Sequence, residues 1–88
     1  MDNNIFQLYV AGVDLLGNRA IKNMKLFCEK NFINNYNLEI VDIEKNPEMA
    51  IKNRINAIPT LIKIKPLPEV RIIGDLAEVD QLAADLGF

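Results

Sequence analysis

The chain has no histidine, no tryptophan and a single cysteine in 88 residues. Without histidine there is no Ser-His-Asp triad, no Cys-His pair and no His-ligated zinc. Cys28 alone forms neither an intrachain disulfide nor a C-x-x-C redox pair. A lone thiol suits a reducing compartment. An excess of positive charge is also missing. Ten Lys and Arg against twelve Asp and Glu leave a net charge of −2, so nothing drives phosphate binding and no nucleic-acid partner is expected. No apolar run approaches the ~20 residues of a membrane span. The opening Met1-Asp2-Asn3-Asn4 lacks the charged and apolar regions of a secretory signal. A cytoplasmic protein with no membrane partner is expected.

Half of the residues are apolar, which marks a globular chain rather than a disordered one. The length fits one small domain, 1–88. A chain this short buries only roughly 60% of its unfolded surface, so its stability is marginal and a homo-oligomer is plausible support.

The pattern along the chain alternates between strand and helix. Ile5 to Ala11 is short, aromatic and β-branched, ends at Gly12 and reads as a strand. From Asn18 the period becomes helical, with Ala20, Ile21, Met24, Phe27 and Cys28 on one face and Asp14 or Asn18 as cap. The Asn-rich stretch from Asn31 to Asn37 reads as a frayed end and loop. Leu38 to Ile43 is a second strand. Asn46 caps a short helix that opens on Pro47 and runs to about Asn53. Leu61 to Lys65 alternates with period two, and Val70 to Ile73 ends at Gly74. Asp75 then caps a last helix whose apolar stripe is Leu76, Val79, Leu82, Ala83 and Leu86.

The order is βαβ, then α, then ββα. The first unit needs a right-handed crossover and parallel strands, whereas the short turn at Pro66-Leu67-Pro68 pairs the last two strands antiparallel. This is the thioredoxin-like α/β layout, which usually places a cis proline where Ile58-Pro59 stands; an X-Pro bond tolerates cis at ~0.5–1 kcal/mol.

The chemistry of that layout is missing. After the first strand stands Gly12-Val13-Asp14-Leu15-Leu16-Gly17, without a cysteine, which excludes dithiol exchange. Cys28 falls on the buried helical stripe and reads as core. Asp42, Glu44 and Glu48 are close in sequence but span a strand end, a loop and a helix start, which argues against a metal or acid–base site. Gly12 and Gly17 lack the spacing and lysine of a phosphate loop. No catalytic residue, metal or cofactor is expected. What remains is surface. Lys45, Lys52, Arg54, Lys63, Lys65 and Arg71 all lie in the second half, and alternation puts Lys63 and Lys65 on one face, where Arg71 could join them. From the residues alone they are either a solvated edge face that discourages aggregation or a basic patch for an acidic protein partner.

Leu8-Tyr9-Val10-Ala11-Gly12, Arg19-Ala20, Lys45-Asn46-Pro47, Pro59-Thr60-Leu61 with Lys63, and Arg71-Ile72-Ile73-Gly74-Asp75-Leu76 follow one register. Together they resemble KaiB, the small bacterial clock protein family. The resemblance implies a non-enzymatic partner of KaiC, a hexameric two-domain ATPase whose N-terminal ring KaiB-like proteins bind. It implies a KaiA-like protein or a sensor kinase as further partners where these exist. It also implies a second, fold-switched arrangement of the C-terminal half in a resting tetramer. Leu82-Ala83-Ala84-Asp85-Leu86 has two alanines and no β-branched residue, so here helix is the expected state of that segment. By the same resemblance Arg54, Lys63 and Arg71, with Lys45 nearby, face KaiC, and Arg19 faces KaiA. Tyr9 matches an aromatic of the first strand, read as core. Gly12, Pro59, Gly74 and Asp75 are structural. The resemblance favours the docking patch over the solvated edge. The alternatives from other classes are a regulatory input domain of a signalling protein and a thiol-disulfide enzyme, the latter disfavoured by the missing cysteines.

Overall fold

A computed structural model describes residues 3–88. Strand β1 (Ile5–Val10) leads into helix α1 (Leu15–Asn31), and strand β2 (Asn37–Asp42) into helix α2 (Pro47–Lys52). Strands β3 (Thr60–Lys65) and β4 (Val70–Ile73) follow, and the chain closes with a 3-10 turn (Val79–Gln81) running into helix α3 (Leu82–Asp85). The four strands make one mixed sheet in the order β2-β1-β3-β4. β1 and β2 are parallel, with Tyr9 opposite Val41. β3 runs antiparallel to both β1 and β4. The Ile58-Pro59 bond before β3 is cis, as the layout predicts.

Alternation along the strands sorts side chains onto two faces. Phe6, Leu8, Val10 and Leu61 meet Ala20, Met24, Phe27 and Cys28 of α1 and Leu82 and Leu86 of the closing segment. On the other face Tyr9, Val41 and Ile62 pack with Met49, Ile55 and Ile58 under α2. α1 covers its face because its apolar stripe recurs at three- and four-residue steps. Leu26 falls off that stripe and is exposed.

Two helix starts and one cap differ from the sequence-based expectation. α1 starts at Leu15 rather than Asn18, because Asp14 is the cap: its Oδ2 accepts the Gly17 N–H at 3.1 Å. The first turn then holds Gly17, whose missing side chain lets the helix close on Val10. α2 begins at Pro47 as expected, but the Asn46 side chain makes no capping bond; its Nδ2 donates to the Asp42 carbonyl instead. The closing helix is the larger correction. Asp75 does not cap it. Its Oδ1 accepts the Ala77 N–H in a local turn, and its carbonyl accepts Asn23 Nδ2 from α1. Leu76 has φ +61, a left-handed backbone that cannot continue a helix, so helical structure waits until Val79. The expected stripe still faces the core, with Leu76, Leu82 and Leu86 buried.

Candidate protein-docking face

β4 is an edge strand, and its second-face side chains are Arg71 and Ile73, opposite Ile62 and Thr60. α2 ends at Lys52, and Arg54 follows with φ +55, which turns the chain back toward the sheet. Arg54, Ile55, Asn56, Ala57, Thr60, Arg71 and Ile73 line one cleft of about 210 Å³. Two arginines thus line a cleft whose other walls are mostly apolar, and Ile73 is 67% exposed beside them.

Arg71 is held rather than free. Its Nη1 donates to the Asn53 carbonyl at 2.6 Å, and its Nε lies 3.5 Å from Glu69 Oε2. Asn53 Nδ2 in turn donates to Tyr9 Oη at 2.7 Å, and Tyr9 Oη donates to Gln7 Oε1 at 2.9 Å. Gln7 Nε2 reaches Glu39 Oε1 on β2 at 2.8 Å. A polar chain therefore crosses the second face from β4 to β2. Tyr9 is fully buried, as the core reading expects, but its hydroxyl is the middle of this chain. Burial raises its pKa, and the Asn53 bond opposes that rise.

The expected basic patch is split by the sheet. Arg54 and Arg71 come together. Lys63 does not join them: it stands opposite Val70 and Phe6 on the α1 face and is 1% exposed. Alternation in β4 puts Arg71 one residue out of phase with Val70, which forces the two cations to opposite sides. The solvated-edge reading of Lys63 fails on the same ground, because β3 lies between β1 and β4. Lys65 is exposed at the strand end, beyond an irregularity at Ile5/Phe6. Lys45 is exposed at the far end of α2 from Arg54, across a helix of about 9 Å. Arg19 is exposed on α1, across the sheet. Sequence reasoning missed Ile73, Thr60 and Asn53; the period-two phase between β3 and β4 was the signal that could have found Ile73 and Thr60, whereas Asn53, just after α2, had no such signal.

The remaining structural residues shape loops around this frame. Gly12 has φ +49, and its N–H donates to Asp42 Oδ1 at 3.0 Å, where the Glu44 carboxylate fills the space a Cβ would need. Asp42 Oδ1 also accepts the Glu44 N–H at 2.9 Å, and these two bonds hold its carboxyl below its ordinary value of 3.8. Gly74 has φ +123, and its N–H donates to the Pro59 carbonyl at 3.0 Å. Among the described residues no group of three or more His, Cys, Asp or Glu is placed to hold a metal ion. No helix of the described residues is long and apolar enough to cross a membrane. A larger cleft of about 400 Å³ lies on α1 between Ile21, Lys22, Lys25 and Leu26. It is a furrow between lysine stems, and none of the expected site residues lines it.

The fold defines the class first. The chain superposes on mitochondrial thioredoxin 3 from Saccharomyces cerevisiae with a TM-score of 0.75 at 14% identity, covering 98% of this chain and 78% of that one. It superposes on the N-terminal domain of Synechococcus elongatus SasA with a TM-score of 0.76 at 19% identity, covering 98% and 85%. It is a thioredoxin-like fold without the thioredoxin dithiol. The family follows from sequence. The KaiB domain profile matches residues 7–86. The chain is 43% identical over 82 residues to the circadian clock oscillator protein KaiB of Synechococcus elongatus, covering 93% of this chain and 80% of that protein. It is 42% identical over 82 residues to the protein of the same name from Prochlorococcus marinus, covering 93% and 69%. The chain belongs to the KaiB family.

Proposed function

We propose that this protein is a non-catalytic docking component of a KaiB/KaiC-type timing system, acting in the cytoplasm. It binds the N-terminal ATPase ring of a KaiC-like protein through the cleft between Arg54 and Arg71. The observation that carries this reading is that Arg54 and Arg71 line one largely apolar cleft beside an edge strand, with Arg71 oriented by Asn53 and Glu69. Planar guanidinium groups suit carboxylates on a partner, and exposed Ile73 and Ile51 supply apolar area beside them. Lys45 acts from the rim, where a charge changes the rate of encounter more than the affinity. Arg19, across the sheet, serves a different partner of the KaiA kind. The switched arrangement and a resting oligomer belong to the same proposal.

Charge reversal tests it. The double variant Arg54→Glu with Arg71→Glu is expected to lose binding to a KaiC-like ring from the same cell, measured by size-exclusion chromatography under ATP. The circular-dichroism spectrum should stay unchanged, because both residues lie at the surface. Undiminished binding by the folded double variant overturns the assignment.

A further inference from the structure

All four phenylalanines of the chain meet at one corner of the α1 face. The Phe88 ring packs at a tilt against its neighbours, its centre 5.0 Å from that of Phe32 and 6.4 Å from those of both Phe6 and Phe27. Beneath it lies Lys63. This lysine occupies a position where alternation along β3 calls for an apolar residue, flanked by Leu61 on its own strand and by Phe6 and Val70 across the ladder. Its stem can pack there, but its ammonium must find a partner or water. Among the described residues no carboxylate lies within ion-pair distance of it. Its Nζ lies instead 5.0 Å from the centre of the Phe88 ring, close under Gly87.

We infer that Phe88 is a releasable clasp that gates the accessibility of Lys63. Two opposing terms act on the same residue. Seating Phe88 completes the aromatic cluster but confines a cation whose described partner is a ring face, weaker than a carboxylate. Lifting Phe88 gives up the cluster and hydrates the ammonium. The two states therefore lie close in free energy, and the open one is populated locally without unfolding the sheet. The segment that must lift turns at Gly87, which has φ +83, after a helix α3 of only four residues. Two backbone bonds seat it, the Gly87 N–H to the Ala84 carbonyl at 3.1 Å and the Phe88 N–H to the Ala83 carbonyl at 2.8 Å, and lifting breaks the second, while the seated Phe88 is already 45% exposed. In the open state Lys63 adds a positive charge to a surface that lacks it in the closed state. The consequence for partner binding rests on the docking function proposed above, whereas the gate itself is tested without any partner.

The experiment is competitive acylation of lysines in the whole folded chain, read by peptide mass spectrometry. Lys65 is the exposed reference on the same strand, and alkylation of buried Cys28 reports global unfolding. In the unaltered chain Lys63 should react at least about tenfold more slowly than Lys65, the protection of a state open about a tenth of the time or less. Phe88→Ala should bring Lys63 to within about threefold of Lys65 while Cys28 stays protected. Phe88→Leu keeps apolar bulk and removes the ring, so it should raise Lys63 reactivity severalfold with Cys28 unchanged. If Phe88→Ala exposes Cys28 in parallel, Phe88→Leu decides. Lys63 as reactive as Lys65 in the unaltered chain, or unmoved by Phe88→Leu when Cys28 remains protected, overturns the clasp.

Discussion

Tyr9 carries two tasks that pull in different directions. Its ring fills the second-face core, while its hydroxyl accepts from Asn53 and donates to Gln7 inside that core. A buried hydroxyl is costly unless paired, and here both of its roles are filled. Tyr9→Phe keeps the ring and orphans its neighbours. It should destabilise the domain by about 1–2 kcal/mol in urea unfolding. It should also weaken partner binding severalfold, because Asn53, which holds Arg71, loses its own anchor. A Tyr9→Phe variant as stable as the unaltered chain would show that the polar chain is replaced by water at no cost. The residue types in this chain were legible, but their partners were not. Tyr9 reads as core from its strand, yet nothing in the local sequence points to Asn53, 44 positions away.

At the scale of elements, the β1–α1 and β2–α2 turns are tied by one carboxylate. Asp42 at the end of β2 accepts N–H bonds from Gly12 and Glu44. Its folded pKa lies below the ordinary 3.8, so this stabilisation is present above that pH and is lost as pH falls through the lower folded value. Asp42→Asn should therefore lower the melting temperature at neutral pH, and the difference from the unaltered chain should shrink on acidification below pH 3.8. A gap that stays constant with pH would assign the effect to something other than the carboxylate charge. Strand and helix identities followed from period and from Gly and Pro punctuation. The last helix began late because Leu76 takes a left-handed backbone, which tertiary burial of its side chain stabilises against a local preference. No propensity scale anticipates that.

Across the whole molecule, the sheet separates two cores and two sets of charges. Arg54 and Arg71 share the α2 face; Lys63 lies on the α1 face, where Cys28 also sits fully buried. Burial pushes the Cys28 thiol up to about 12, with the Glu29 charge adding to it. Thiolate chemistry at neutral pH is thereby suppressed, which fits a core residue. Because the folded value is raised, the neutral thiol's contribution to stability is present below the unfolded value of 9.0 and is lost as pH rises through 9 toward about 12. Cys28 alkylation should follow global unfolding, accelerating in step with denaturant-induced loss of circular dichroism. Labelling at a rate independent of denaturant would mean that α1 opens by itself.

The sequence by itself determined the order of elements, the thioredoxin-like class, the loss of the dithiol and membership of the KaiB family. The first three follow from local periodicity, turn residues and the identity of one cysteine, and the family from the residue strings the chain shares with its relatives over residues 7–86. Tertiary structure alone decided which cations share a surface. Two adjacent strands can set residues of like charge side by side or back to back, depending on a one-residue phase in their pairing. Here that phase joins Arg71 to Arg54 and sends Lys63 inward under Phe88.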